Sequence, residues 1–217
     1  MAILANKYKN IIFDLGGVLL NIDYMLAVKA FSNLGLGDFE TVFSTINQKQ
    51  LFDEYEKGQI TSADFRNKLK TFGKNTIDDI AINESWNSML LDLPQERLDL
   101  LMRIKQTHRI FLLSNTNEIH IDSFNSYLQK KFNIADLSGY FEKIYLSYLV
   151  RMRKPDAEIF ELVLSENKLD PNETLFIDDS IQHIEGAKKL GIHTYWLDVK
   201  KESVLDLFLL PTVLSCS

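Results

Sequence analysis

A chain of 217 residues is long for one compact unit and short for two full ones, which favours one domain with a sizeable insertion. Hydrophobic residues make up 46% and charged residues 25%, so the composition excludes disordered and fibrous proteins. A formal net charge of -6 argues against polyanionic partners, such as nucleic acids and anionic membrane surfaces.

The start of the chain and its cysteine content predict the cellular compartment. Residues 1–7 lack the basic start and long apolar core of a secretory signal, and no run approaches the roughly 18 apolar residues of a membrane span. The single cysteine, Cys216, cannot form an internal disulfide and is interpreted as an incidental thiol. We therefore expect a cytoplasmic protein without a membrane partner; the sequence sets no oligomeric state.

The first distinct feature is a short apolar run over residues 9–13 that ends in Asp14 and is followed by Gly16 and Gly17. This pattern predicts a buried parallel strand that delivers one carboxylate to a loop where the backbone can approach a ligand. It also fits a strand that ends in an Asx turn. At this stage the carboxylate has a functional and a structural interpretation.

Residues 22–91 change to helical periodicity. Asp23 is placed to cap a first helix, and Thr61 and Asp64 form the pattern of a capping box. Apolar residues at helical spacing mark five helices, around residues 25–34, 39–46, 51–57, 62–72 and 76–91. We interpret this segment as a small helical bundle inserted after the first strand.

From Pro94 onward strands and helices alternate. Strands are predicted at Arg109–Ser114, Lys143–Ser147, Thr174–Asp178 and Ile192–Trp196. Helices are predicted over residues 95–106, 118–130, 155–166, 181–190 and 204–210. This alternation predicts an α/β fold with a Rossmann-like parallel sheet and right-handed crossovers. The expected domains are a core of residues 1–21 and 92–217 and a helical cap of residues 22–91.

Polar residues follow four of the predicted strands, at the edge where open parallel sheets bind ligands. They are Asp14, the cluster Ser114, Asn115 and Thr116, then Lys154, and finally Asp178 and Asp179. Several carboxylates suit Mg²⁺, whereas a hydroxyl, backbone N–H groups and a lysine suit a phosphate. An aspartate beside both can act as a nucleophile, so the set predicts phosphoryl transfer from a small molecule.

These stretches, in this order, resemble the four motifs of the haloacid dehalogenase-like hydrolase superfamily. The matching stretches are Asp14–Val18, Leu113–Asn117, Arg153–Asp156 and Phe176–Ser180. The likeness is greatest to the branch that contains bacterial glucose-1-phosphate phosphatases, and residues 52–60 are similar to a recurring stretch of that family's cap. The resemblance implies a helical cap between the first and second motifs.

Transferred residue by residue, the resemblance implies a complete catalytic set. Asp14 would be the nucleophile and a Mg²⁺ ligand, and the carbonyl of Gly16 a second ligand. Ser114 would bind the phosphoryl group with the backbone at Asn115 and Thr116, and Lys154 would neutralise charge on Asp14 and the phosphoryl oxygens. The remaining metal ligands would be Asp178 and Asp179.

One departure concerns proton transfer. Most phosphatases of this family carry a second aspartate two residues after the nucleophile, where this chain has Gly16. Loss of a general acid and base typically costs about 10²–10⁴-fold in rate. The chain could act on substrates with good leaving groups, use Asp23 or Glu56 as a substitute acid, or bind phosphometabolites without efficient turnover.

The second departure is Arg151, where relatives usually have glycine; with Arg153 it could add positive potential near the phosphate. The four histidines lie on different predicted elements, so a histidine metal site is not expected. Trp86 and Trp196 are assigned to the core. The aromatic residues that could face a substrate from the cap are Tyr24, Phe52 and Tyr55.

The sequence thus favours a Mg²⁺-dependent phosphatase that hydrolyses a small phosphomonoester, most simply a sugar phosphate, through a phosphoaspartate. One alternative is a catalytically weak protein that binds or senses a phosphorylated metabolite. Another is a 2-haloacid dehalogenase, against which the adjacent Asp178 and Asp179 argue, since neighbouring carboxylates need a cation.

Overall fold

The computed structural model describes residues 7–36, 51–73 and 77–208. The helix predicted over residues 39–46, the end of the chain after Phe208, and Cys216 lie outside the described residues. None of the helices within the described ranges is both long enough and apolar enough to span a membrane.

Five parallel strands form one sheet, in the order β3-β2-β1-β4-β5. The strands are β1 (Asn10–Phe13), β2 (Arg109–Ser114), β3 (Lys143–Leu146), β4 (Thr174–Asp178) and β5 (His193–Trp196). The first strand is central and pairs with β2 on one side and β4 on the other. Because all strands run the same way, the residues after β1, β2 and β4 meet at one edge of the sheet.

Alternation along β1 divides the core into two layers. Ile11 and Phe13 contribute to one hydrophobic cluster, and Ile12, which points the other way, contributes to a second cluster. Two helices cover the first face, α5 (Gln95–Ile104) and α6 (Glu118–Phe132). Two others cover the second face, α8 (Ala157–Asn167) and α9 (Ile181–Lys188). Both faces are therefore buried, which explains why the strands are continuously apolar.

The regular elements described between β1 and α5 are helices, apart from isolated bridges between Gly16 and Leu20 and between Ile22 and Leu90. The helices are α1 (Tyr24–Asn33), α2 (Leu51–Glu56), α3 (Ser62–Lys70) and α4 (Asp79–Asn87). Asp23 caps α1 through the backbone N–H of Met25, and Thr61 with Asp64 forms the predicted capping box of α3. These helices enclose a third hydrophobic cluster, which contacts the sheet side through Ile119 of α6.

Two chain segments connect the helical part to the sheet, and they lie side by side. The backbone N–H of Asn21 donates to Asp92, and the backbone N–H of Leu91 donates to Asn21. Buried Arg97 of α5 donates to the carbonyl of Leu19 at 2.7 Å and to Oδ1 of Asn21 at 2.9 Å. The entrance and exit of the helical segment are thus held together at one place.

The predicted α/β fold with a parallel sheet is confirmed, and the differences concern element ends and two short elements. The helix predicted over 76–91 spans Asp79–Asn87, and the helix expected from Pro155 begins at Ala157. A short helix, α7 (Ser147–Val150), follows β3 directly and was not predicted. The helix expected over 204–210 is, in its described part, a single 3-10 turn at Asp206–Phe208.

Candidate active site

Three carboxylates meet at the carboxyl edge of the sheet. Asp14 follows β1, Asp178 is the last residue of β4, and Asp179 comes next. One oxygen from each can be chosen so that all three lie within 4.8 Å of one another. The backbone N–H of Asp14 donates to the carbonyl of Ile177 at 3.0 Å, which continues the pairing of β1 with β4 and fixes this proximity.

Lys154 lies between two of these carboxylates. Its Nζ is 2.7 Å from Oδ1 of Asp14 and 2.7 Å from Oδ2 of Asp178, and it donates a third hydrogen bond to the carbonyl of Leu113 at 2.9 Å. The lysine is completely buried. All three donors of its ammonium group are used, so a buried charge that would otherwise be costly is fully paired.

The position of Lys154 is set by Asn115, which follows β2. The Asn115 amide donates to the carbonyl of Lys154 and accepts from its backbone N–H, both at 2.9 Å. This two-bond contact joins the loops after β2 and α7. Asn115 therefore supports the site by holding the lysine backbone, a role the sequence pattern did not suggest.

The carboxylates carry more negative charge than Lys154 neutralises. Burial, reinforced by Asp178 and Asp179, raises the pKa of Asp14 to about 7 although Lys154 opposes the shift. Burial and the charge of Asp178 raise the pKa of Asp179 to about 6. Burial also acts on Asp178, but Lys154 and His183 hold the pKa of this carboxyl below its ordinary value. Such a cluster is electrostatically suited to a cation.

His183 is a site residue that sequence reasoning missed. Its Nδ1 is 3.0 Å from both carboxylate oxygens of Asp178, and the ring lines the pocket described below. The prediction that no histidine metal cluster exists does not address this role. Its spacing in the sequence could have identified it. His183 is five residues after Asp178, in the first turn of α9, and this turn lies beside the end of β4.

The two glycines after Asp14 have different structural roles. Gly17 has a φ of +77°, and a Cβ atom there would lie 2.2 Å from Oδ2 of Asp179. A side chain is therefore excluded both by the backbone conformation and by the clash with Asp179. Gly16 lies outside the left-handed region, and a Cβ would meet only the flexible side chain of Ile22 at 3.2 Å. Glycine is therefore required at position 17, whereas a side chain at position 16 needs a shift of a few tenths of an ångström in the Ile22 side chain.

The hydroxyl cluster after β2 is only partly open to a ligand. Ser114 is 3% exposed, with its Oγ 3.5 Å from the carbonyl of Asn115. The backbone N–H of Thr116, expected to assist phosphate binding, donates instead to Oγ of Ser147 at 2.9 Å. Asn117 caps α6 by accepting from the backbone N–H of His120. Among these residues, Asn115 alone lines the pocket.

A pocket of about 360 Å³ lies over the carboxylates. Most of its lining residues have polar side chains, and they come from the strand ends, the start of α1, the end of α2, the loop before α8 and the first turn of α9: Asp14, Gly16, Tyr24, Glu56, Asn115, Arg153, Asp179, Ser180 and His183. We call Asp14, Lys154, Asp178 and Asp179 the floor. We call Asp53, Glu56 and Arg153 the roof.

The roof joins the helical segment to the loop that carries Lys154. The guanidinium of Arg153 forms an ion pair with Asp53 and a second one with Oε2 of Glu56 at 2.9 Å. Burial raises the pKa of Glu56, while Arg153 opposes the shift. A further ion pair, Lys57 to Asp156 at 2.8 Å, lies beside the roof.

Of the two residues suggested as a substitute acid, only Glu56 lines the pocket; Asp23 is exposed and its carboxylate caps α1. Arg151 is exposed and has a φ of +59°, the region that favours glycine, which is consistent with the glycine that the family resemblance led us to expect there. Arg153, by contrast, lines the pocket and is paired.

The aromatic predictions had mixed outcomes. Tyr24 lines the pocket, whereas Phe52 and Tyr55 are buried in the core of the helical segment and do not face it. Trp86 is a core residue, as predicted. The assignment of Trp196 to the core was wrong, because this edge-strand residue is 43% exposed and its indole donates to the carbonyl of Asp179.

Comparisons with known proteins agree with this geometry. Residues 8–191 match the haloacid dehalogenase-like hydrolase family. The chain is 33% identical over 187 residues to a D-ribitol-5-phosphate phosphatase of Bacteroides thetaiotaomicron, covering 86% of this chain and 90% of that protein. It is 26% identical over 189 residues to the sesquiterpene phosphatase astK of Aspergillus oryzae, covering 87% and 89%.

A solved structure gives the same result. The enzyme bt-2542 of Bacteroides thetaiotaomicron, of the same family, superimposes with a TM-score of 0.84 at 38% identity, covering 94% of this chain and 100% of that chain. Another structure of bt-2542, with magnesium and inorganic phosphate, gives a TM-score of 0.78 at 37% identity over 90% and 96% of the chains. The fold, the acidic strand ends and the sequence match lead to one conclusion: this chain belongs to the haloacid dehalogenase-like hydrolase family.

Proposed function

We propose that this haloacid dehalogenase-like phosphatase uses Mg²⁺ to hydrolyse a small sugar or polyol phosphate through a phosphoaspartate on Asp14. The observation that carries the proposal is the floor, where Asp14 reaches a polar pocket beside two further carboxylates and a buried lysine. Activity of the named relatives on phosphate esters supports it.

The chemistry of the floor fits Mg²⁺. Its ligand atoms are all oxygens, and its charge exceeds what Lys154 offsets. Asp14, Asp178, Asp179 and the carbonyl of Gly16 would hold the ion. When bound, Mg²⁺ supplies positive charge against the phosphoryl oxygens. The magnesium and phosphate in the bt-2542 structure support this assignment.

The chain's own residues account for two displacement steps. In the first, a carboxylate oxygen of Asp14 bonds to phosphorus, the bond from phosphorus to the ester oxygen breaks, and the alcohol leaves with a proton taken from the solvent side. In the second, water attacks phosphorus, the bond to Asp14 breaks, and phosphate is released; one proton of the water stays on the phosphate and the other passes to a phosphate oxygen or to solvent. Lys154, with its ammonium 2.7 Å from Asp14, orients the carboxylate and offsets charge in both steps.

The pocket walls support a hydroxylated substrate. Tyr24, Glu56, Asn115, Arg153 and Ser180 present polar groups to the cavity. An alcohol rich in hydroxyl groups can replace water at such a surface, whereas a terpene would leave these groups unpaired. This favours a substrate like that of the ribitol phosphate phosphatase over one like that of the sesquiterpene phosphatase.

We also propose that residues 22–91 form a cap that selects the substrate. Tyr24 and Glu56 bring this segment into the pocket wall, and its separate hydrophobic cluster supports an independent unit. The expected cytoplasmic location and the lack of nucleic-acid partners remain predictions from the sequence.

Phosphate release tests the proposal. Purified protein with Mg²⁺ should hydrolyse p-nitrophenyl phosphate and should act more efficiently on sugar and polyol phosphates in a substrate panel. Asp14→Asn should lower kcat by on the order of 10³-fold or more, as expected for loss of a nucleophile. The matched control is Asp23→Asn, because Asp23 caps α1 outside the pocket. Undiminished release by Asp14→Asn would remove the proposed nucleophile.

A further inference from the structure

The roof differs from the floor in its charge and in its origin. Asp53 and Glu56 come from α2, and Arg153 comes from the loop before α8. Their formal charges, two negative and one positive, leave the roof with a net charge of -1. The charge of the guanidinium is already offset by two carboxylates, so its attraction for another anion is weakened.

Glu56 is the roof carboxylate that faces the pocket. Its Oε2 pairs with Arg153, but no hydrogen bond from the described residues reaches Oε1. The side chain is 21% exposed and Oε2 is buried, so Oε1 is the oxygen that remains accessible, on a carboxylate held in place by the ion pair to Arg153. A partly desolvated carboxylate of this kind accepts hydrogen bonds from hydroxyl groups strongly and repels a second anion.

Building on the proposed function, we infer that Glu56 determines specificity by accepting hydrogen bonds from the hydroxyl groups of a neutral polyol or sugar and by excluding leaving groups that carry a second negative charge. The substrate class is therefore a neutral polyhydroxy monophosphate, and bisphosphates and phosphorylated acids are disfavoured. Arg153 acts as a positioning residue, because it holds the Glu56 carboxylate while its own charge is offset by Glu56 and Asp53.

A purely structural role for Glu56 makes a different prediction. If the roof only held α2 against the loop before α8, loss of either carboxylate would weaken the same contact to Arg153. Turnover of all substrates would then change together. A specificity role instead requires that Glu56 and Asp53 differ, because Asp53 does not line the pocket.

Glycerol 3-phosphate and 3-phosphoglycerate are a matched pair for the test, since they differ in a neutral hydroxymethyl group against a carboxylate. The ratio of their kcat/KM values is measured with Mg²⁺ at pH 8, well above the ordinary pKa of a carboxyl group. The wild type should prefer glycerol 3-phosphate by about tenfold or more. Glu56→Gln should lower this ratio by about tenfold, whereas Asp53→Asn should preserve it within about twofold.

Two further measurements separate the possible failures. Glu56→Asp keeps the charge and should retain discrimination against 3-phosphoglycerate, which provides a second variant should Glu56→Gln be unstable. Hydrolysis of p-nitrophenyl phosphate reports the basic reaction. If Glu56→Gln hydrolyses this compound but keeps the wild-type ratio of kcat/KM values, the role of Glu56 is overturned while the proposed function stands. The same holds if Asp53→Asn shifts the ratio as much as Glu56→Gln. No turnover of any compound by the wild type would overturn the proposed function as well.

Discussion

The floor and the roof of the pocket both rely on ion pairs, but they are built in different ways. In the floor, Lys154 and Asp178 are fully buried and every ammonium donor is used. In the roof, the side chains of Arg153 and Glu56 are about one-fifth exposed and that of Asp53 is 40% exposed. A change in the floor is therefore expected to affect stability and chemistry together, while the roof can vary with the substrate.

The largest expected effect is a difference in stability between a variant of the floor and a variant of the roof. Lys154→Met should lower the free energy of unfolding by about 3 kcal/mol or more, because it leaves buried carboxylates without their partner. Arg153→Met should cost about 1 kcal/mol or less, because its ion pairs are partly solvated. Urea unfolding at neutral pH without added metal measures both values. Equal losses in the two variants would contradict the distinction between floor and roof.

A pH effect is expected where the helical segment meets the sheet side. The ring of His120 stacks on Trp86 with centroids 4.8 Å apart, and burial lowers the pKa of His120 from 6.5 to about 4. As the pH falls, His120 is therefore protonated in the unfolded chain before it is protonated in the folded protein. The stability that neutral His120 contributes is complete above pH 6.5 and is lost as the pH falls to 4.

This pKa shift lowers the free energy of unfolding by about 3 kcal/mol between pH 7 and pH 4. Unfolding measurements should show that the wild type loses this much more stability over that interval than His120→Gln. Subtracting the two proteins removes the titration of Asp14 and Asp179, which have raised pKa values of their own. Parallel pH profiles would show that His120 does not titrate as described.

A smaller effect is expected from restoring an acid to the floor. Since a Cβ at Gly16 meets only Ile22, Gly16→Asp should fold. It should raise kcat for glycerol 3-phosphate, a poor leaving group, by about tenfold or more, and change that for p-nitrophenyl phosphate little. Gly16→Ala is the matched control without a carboxyl group. A similar gain on both substrates, or a gain in Gly16→Ala, would show that proton transfer is not what position 16 limits.

Much of the fold could be predicted from the sequence because its signals are local. The apolar runs and the acids or hydroxyls that follow them gave the parallel sheet and the group that meets at its edge, as at Ile177, Asp178 and Asp179. Capping residues such as Asp23 and Thr61 gave helix starts. Element ends shifted where tertiary contacts decide, as at Ala157.

The roof could not be predicted in the same way. Arg153 and Asp53 are 100 residues apart, and their pairing depends on how α2 packs beside the loop of Lys154. The sequence suggested Glu56 as a possible acid but did not indicate that it pairs with Arg153. It gave no indication that His183 belongs to the site. The occupied N–H of Thr116 likewise depends on Ser147, which belongs to an element that the sequence pattern did not predict.

The most direct test of the central claim is chemical trapping of the intermediate. Turnover of glycerol 3-phosphate with Mg²⁺ is quenched with borohydride, which reduces an acyl phosphate to an alcohol, and the peptides are identified by mass spectrometry. A phosphoaspartate mechanism predicts reduction at Asp14 only when substrate is present. Sustained phosphate release with an unmodified Asp14 and with the modification at another carboxylate would contradict it.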